Sequence, residues 1–172
     1  SSSFRQSMWL LGDAKSVIDV LIILGPNLNM LGIREPEIYG SETMADIISS
    51  LEAQASNLGL KIAMVQSNDE GALLIAIQQG HRTARAILFN LAAYTHTSVA
   101  LREVVAMFEG PRVEVNLSNN YQRESFRQIS LTAPVSSGAI IGFSADSFQL
   151  GLDAVDHLLA RNCDRDQQPG RG

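Results

Sequence analysis

The 172 residues carry 13 Lys and Arg against 18 Asp and Glu, a net charge of -5, which argues against non-specific nucleic-acid binding, for which a basic face is needed. Hydrophobic residues make up 45% and charged residues 18%, enough for one domain with a proper core, and no apolar run is long enough to span a membrane. The single cysteine, Cys163, offers neither an internal disulfide nor a thiolate metal site, so a reducing, cytoplasmic setting is expected.

The chain opens with Ser1, Ser2 and Ser3 rather than Met. Residues 8–11 are too short an apolar stretch for a secretory signal, and residues 1–15 are expected to be an extension. Residues 17–24 form a near-continuous apolar run, as suits a parallel strand covered on both faces. A long loop, residues 25–40, separates it from an amphipathic helix. That helix buries Met44, Ile47, Ile48, Leu51, Ala55 and Leu58 and stops at Gly59. The next strand is expected at 61–66. Ser67 and Glu70 then have capping-box spacing ahead of Leu73, Leu74 and Ile77. A third strand at 86–90 leads to a stripe of Leu101, Val104, Val105 and Phe108, ended by Gly110 and Pro111. Strands at 112–117 and 138–142 precede a last stripe of Phe148, Leu152, Val155 and Leu159. From Asn162 the polar composition predicts a disordered tail, which leaves a single domain over 16–161. Repeated strand–helix units predict a parallel sheet with helices on both sides.

Polar residues cluster where these strands end: Asn27, Ser67 and Asn68, Asn90, and residues 114–119. In open α/β sheets, ligands bind outside the carboxyl ends of the strands, so a site is expected along that edge. The 25–40 loop is long for a compact domain, and such loops are usually functional. It carries Arg34 and Tyr39. A tyrosine ordinarily titrates near pH 10 and is a poor base at neutrality, but a guanidinium beside it favours the phenolate. An Arg–Tyr pair on a closing loop can therefore abstract a proton. The plainer alternative has Tyr39 anchoring the loop by packing and Arg34 paired with Glu35 or Glu37.

The stretch Tyr94, Thr95, His96, Thr97 and Ser98 opens a helix. It reads either as an anion site with His96 as an added donor or as ordinary capping. His81 and His157 lack ligand-spaced partners and read as surface residues. Glu114, Asn116 and Ser118 point to one side of a strand, which suggests a lined pocket or a strand emerging into solvent. Arg123 and Arg127 share a face if their segment is helical, and suit a carboxylate or a subunit contact. There is no G-x-G-x-x-G, phosphate loop or Gly-x-Ser-x-Gly elbow, which weighs against dinucleotide binding, NTP hydrolysis and α/β-hydrolase chemistry.

These segments, taken in order, resemble the type II 3-dehydroquinate dehydratases. The resemblance runs through Gly25-Pro26-Asn27-Leu28-Asn29, Arg34-Glu35-Pro36, Tyr39-Gly40, Gln66-Ser67-Asn68, Glu70-Gly71, Asn90, Thr95-His96-Thr97-Ser98, Leu101-Arg102, Glu114, Ser118-Asn119, Arg123-Glu124 and Phe126-Arg127. It implies a flavodoxin-like three-layer sandwich with a parallel five-stranded sheet, trimers assembled into a dodecamer, and no metal or organic cofactor. The implied reaction removes water from 3-dehydroquinate to give 3-dehydroshikimate, in shikimate or quinate metabolism. By motif position, Tyr39 would be the base that takes a proton next to the ketone. Arg34 would favour its phenolate, and Asn27 with a water would stabilise the enolate. Asn90, His96, Leu117, Ser118 and Arg127 would hold the substrate, with Glu103 contacting it across the trimer. Glu114 and Arg123 would support from behind.

The chain departs from the family pattern at one chemically weighty place. Where Glu-x-His-x-Ser-Asn is usual, residue 116 is Asn. An amide donates a hydrogen bond but does not give up a proton at neutral pH. Loss of a positioned general acid typically costs about 10²–10⁴-fold in rate. Enolate formation is expected to survive and loss of the hydroxyl to slow. The alternative is a non-catalytic or retuned homologue that binds a cyclic hydroxy acid. Milder departures are Glu103 for Asp, Leu24 for a polar residue, Leu91 for Pro and Ser144 for Gly.

Overall fold

The computed structural model describes residues 17–166. Five strands, β1 (Ile18–Leu24), β2 (Ile62–Gln66), β3 (Ala84–Asn90), β4 (Arg112–Asn116) and β5 (Gly138–Ile141), pair in parallel throughout in the order β2-β1-β3-β4-β5. Between and after them lie α1 (Pro36–Tyr39), α2 (Met44–Leu58), α3 (Glu70–Thr83), α4 (Val99–Met107) and α5 (Asp146–Asp166). The strand order is that of the flavodoxin-like fold. Among the described residues, no helix is long and apolar enough to cross a membrane.

Period-two alternation along the strands sorts the core into two halves. Val20, Ile22, Leu24, Ala86, Leu88, Val113 and Val115 pack under α2 and α5, against Leu51, Phe148 and Leu152. Leu21, Ile23, Ile87 and Phe89 face the other way, under Leu73 and Ile77 of α3 and Leu101 and Val105 of α4. Each buried Leu, Ile or Phe contributes about 1.5–3 kcal/mol, and both faces are closed, as a parallel sheet requires.

The strand runs predicted from apolar composition fall on the observed strands, with β3 beginning two residues earlier, at Ala84. The α2 start is a reciprocal box. Asp46 N–H donates to Thr43 Oγ1 at 3.2 Å and Thr43 N–H donates to Asp46 Oδ2 at 2.9 Å. The Thr43 backbone N–H, then its hydroxyl, hold the Asp46 carboxyl below the usual carboxylate range. Gly59 ends α2 in the left-handed region at φ 69°. The capping box expected of Ser67 and Glu70 is not formed. Asp69 caps α3 instead, accepting from Ala72 N–H at 2.8 Å. Its carboxylate sits two residues nearer the free N–H groups, while Ser67 Oγ accepts from Asp69 N–H at 3.0 Å. The tail expected to be disordered from Asn162 is helical as far as Asp166. Extending a packed helix costs little once it is nucleated. The extension expected at 1–15 and residues 167–172 lie outside the described residues.

Two backbone constraints shape the carboxyl edge of the sheet. A Cβ on Gly25 would lie 2.6 Å from the Leu91 carbonyl carbon and oxygen, so only glycine lets the end of β1 approach the end of β3. Gly25 N–H donates to Asn90 O at 2.7 Å across that approach. Beyond β5 the chain bends back over β4. Gly142 N–H donates to Asn116 O at 3.0 Å and Ser144 N–H to Leu117 O at 2.9 Å. Gly142 has φ 96° and Ser144 φ 51°. The left-handed conformation costs a non-glycine residue about 1–2 kcal/mol, which is the physical reason a glycine suits position 144. Ser144→Gly is therefore expected to stabilise the fold by about 1 kcal/mol in equilibrium urea unfolding; destabilisation would contradict the strain.

Candidate active site

In this strand order the chain leaves β1 toward β2 on one side and later returns to β3 on the other. The crevice at such a reversal is where doubly wound sheets bind ligands. An open cleft lies there. Its walls include Asn27, Arg34, Tyr39, Asn90, His96, Asn116, Leu117, Ser118, Arg123 and Arg127.

Tyr39 ends the short helix α1, which Pro36 starts at a position where its missing N–H costs nothing. Its hydroxyl accepts from Arg123 Nη1 at 2.7 Å. The Arg123 and Arg34 guanidinium carbons lie 5.2 and 5.3 Å from the ring centroid. A phenolate formed here would thus be paired with one guanidinium and flanked by a second. Arg34 was the expected partner of Tyr39 and Arg123 a supporting residue behind it. The hydrogen bond goes to Arg123, because Arg34 Nε turns to Glu35 Oε2 at 3.5 Å. Packing of Tyr39 against the core under α2 and the Arg34–Glu35 contact follow the plainer reading of this loop, and both coexist with the cationic pairing.

Asn27 has φ 67°, a conformation Asn tolerates better than most residues, and its N–H donates to Asn68 Oδ1 at 3.0 Å. Asn90 ends β3 buried, and its Oδ1 accepts from Ala92 N–H at 2.9 Å. The following 3-10 turn, Ala92–His96, carries His96 to the cleft, where Nδ1 lies 2.7 Å from Ile129 O. Ser98 caps α4, accepting from Leu101 N–H at 3.0 Å. Thr95 is buried and Thr97 is not the cap. His81 and His157 are exposed.

At the end of β4, Glu114 is fully buried and does not reach the cleft. The Ser130 hydroxyl lies 2.8 and 3.0 Å from its two oxygens, and the Thr132 hydroxyl donates to Oε1. Asn116 is 6% exposed, and its Nδ2 has no hydrogen-bond partner among the described residues. Arg123 and Arg127 do not share one helix. They follow and end separate 3-10 turns, Asn120–Gln122 and Ser125–Arg127. Arg127 Nε donates to Glu124 Oε2 at 2.8 Å. Glu103 is exposed on α4 and is not among the cleft residues, so within one chain the structure does not bring it to the substrate position expected of it. Sequence reasoning missed Asn120, which is buried, lines the cleft and accepts from Ser118 Oγ at 3.3 Å. Its place directly after Ser118-Asn119 was the available signal. Among the described residues, no group of His, Cys, Asp and Glu is placed to hold a metal ion.

Fold and cleft together define a flavodoxin-like α/β protein whose switch-point crevice carries three arginines, a tyrosine, a histidine and several amides. The model of the class II dehydroquinases matches residues 18–156, and the chain belongs to that family. It is 52% identical over 136 residues to a 3-dehydroquinate dehydratase of Geotalea daltonii, covering 79% of this chain and 94% of that one. It is 45% identical over 152 residues to one of Gloeobacter violaceus, covering 88% and 95%. The crystal structure of a type II dehydroquinase from Butyrivibrio crossotus matches the fold with a TM-score of 0.79 at 36% identity, over 81% of this chain and 98% of that one.

The Glu114 cluster yields a stability prediction. Thr132→Val removes one hydroxyl from a buried carboxyl and is expected to cost about 1–3 kcal/mol in urea unfolding. A change below about 0.5 kcal/mol, the range of an inconsequential surface substitution, would contradict the assigned bond.

Proposed function

We propose that this chain is a hydro-lyase, a 3-dehydroquinate dehydratase that eliminates water from 3-dehydroquinate through an enolate. The observation that carries this reading is the Tyr39 hydroxyl, held 2.7 Å from Arg123 Nη1 inside a cleft that also presents Arg34 and Arg127. As phenolate, Tyr39 takes the proton from the carbon next to the ketone. The electron pair moves onto the ketone oxygen, and the enolate collapses as the neighbouring C–O bond breaks. Preorganised cations stabilise such developing charge without reorganisation. Arg127, half-shared with Glu124, is the cation for the substrate carboxylate. Asn27 supplies the donor for the enolate, and Asn90, His96, Ser118 and the Leu117 backbone hold hydroxyls and carboxylate.

Asn116 makes the second half-reaction the slow one. Its unpartnered Nδ2 can donate hydrogen bonds but has no proton to release at neutral pH. The assembly that accompanies this reading is a dodecamer built from trimers, in the cytoplasm, with exposed Glu103 meeting a neighbouring protomer.

The direct test follows the rise in enone absorbance with 3-dehydroquinate. Turnover supports the enzyme; saturable binding without turnover favours a retuned homologue that binds a cyclic hydroxy acid. Arg123→Gln is expected to lower kcat by about 10²–10³-fold, the usual effect of losing one preorganised donor. Asn116→His is expected to raise kcat about tenfold or more, toward the effect of a positioned acid.

A further inference from the structure

A departing hydroxyl needs a proton, and the cleft holds few groups that can give one. Its titratable walls are Arg34, Tyr39, His96, Arg123 and Arg127. Arginines keep their protons in proteins, and Tyr39 is occupied as the base. Resting on the dehydration reading above, we infer that His96 delivers the proton to the leaving hydroxyl from Nε2, in a site where Asn116 only orients that oxygen.

The tautomer follows from the partner. Ile129 O is a carbonyl oxygen and can only accept, so the hydrogen of the 2.7 Å contact is on Nδ1. That leaves Nε2 as the nitrogen that exchanges a proton with a ligand, the usual division of labour in a catalytic imidazole. The carbonyl itself is held firmly. Leu131 N–H donates to Thr95 O at 2.8 Å, and Arg102 Nη1 donates to Leu131 O at 2.7 Å. On either side of Leu131, the Ser130 and Thr132 hydroxyls are bound to buried Glu114. Glu114 is thus a positioning residue for His96: it fixes the segment whose carbonyl sets the imidazole. Asn116 Nδ2, buried and unpartnered in the same cleft, donates to the leaving oxygen and fixes its direction.

The step balances. Phenolate takes one proton from carbon, the C–O bond breaks, and the oxygen leaves as water with the proton from imidazolium Nε2. Neutral imidazole then recovers a proton from solvent as Tyr39 releases one.

The test compares the unaltered chain, His96→Gln, Asn116→His and the double variant on 3-dehydroquinate in D₂O. Two rates are read: deuterium entry next to the ketone, by NMR, and enone formation. At saturating substrate, His96→Gln is expected to slow enone formation by about 10²-fold, the effect of a lost general acid, and to slow deuterium entry far less, since a lost substrate contact weakens binding without removing the base. Asn116→His, which offers a replacement acid, should gain at least about tenfold more in the His96→Gln background than in the unaltered chain, as coupled residues do. Equal loss of both rates in His96→Gln would make His96 a binding group and overturn the inference. So would an equal gain from Asn116→His in both backgrounds, or an unchanged enone rate, which would give the proton to Tyr39 or water. If the unaltered chain neither exchanges nor dehydrates, the reading of the function falls, and this inference with it.

Discussion

The close approach of Gly25 to Leu91 fixes the seam from which the cleft walls start, at the adjoining Pro26 and Ala92. No side chain fits between the ends of β1 and β3, since a Cβ would stand 2.6 Å from backbone atoms. The hydrogen bond from Gly25 N–H to Asn90 O closes that seam at 2.7 Å. From it the chain diverges in two directions. One branch is the loop that carries Asn27, Arg34 and Tyr39; the other is the turn that carries His96. The proton abstraction and substrate contact proposed for these residues would share a rigid origin, although the residues lie far apart in sequence. Rigid support of this kind is what a site needs to hold reacting groups in register.

The charges of the cleft wall hold one another in place. Arg123 and Arg127 both approach Glu124, at 3.9 and 2.8 Å. The Glu124 carboxyl is held below its ordinary range, first by its own backbone N–H and then, against some burial, by Arg127 and Arg123. A carboxyl whose folded value is lowered contributes stability above its unfolded value, near pH 4, and loses it as pH falls through the folded value. At neutral pH Glu124 is therefore an anion that keeps two arginines oriented while the cleft is empty. In the proposed reaction an anionic substrate would compete with it for Arg127 and leave Arg123 to Tyr39. The exposed position of Glu124 keeps that competition weak, because solvent screens surface pairs.

The fold was legible because parallel strands buried on both faces read as continuous apolar runs, and the helices between them keep a clear stripe. The locations of Asn27, Asn90, Asn116 and Ser118 followed from strand ends. What the sequence did not reveal is pairing over distance. Arg34 stands near Tyr39 in sequence, yet the hydroxyl bonds to Arg123, 84 residues away. Glu114 shares strand parity with Asn116, yet bonds away from the cleft to Ser130 and Thr132, because hydroxyls there satisfy a carboxyl that burial would otherwise penalise. The α3 cap fell to Asp69 rather than Ser67 for a local reason, the better reach of a neighbouring carboxylate. Glu103 points to solvent in a single chain, and its expected role depends on a neighbour.

The central claim is that Tyr39, between two guanidiniums, is the base. Deuterium entry next to the ketone of 3-dehydroquinate, measured for the unaltered chain and for Tyr39→Phe, tests it without requiring the second half-reaction. The account predicts exchange in the first and its loss, by about 10²-fold or more, in the second. Exchange that persists unchanged in Tyr39→Phe would contradict it.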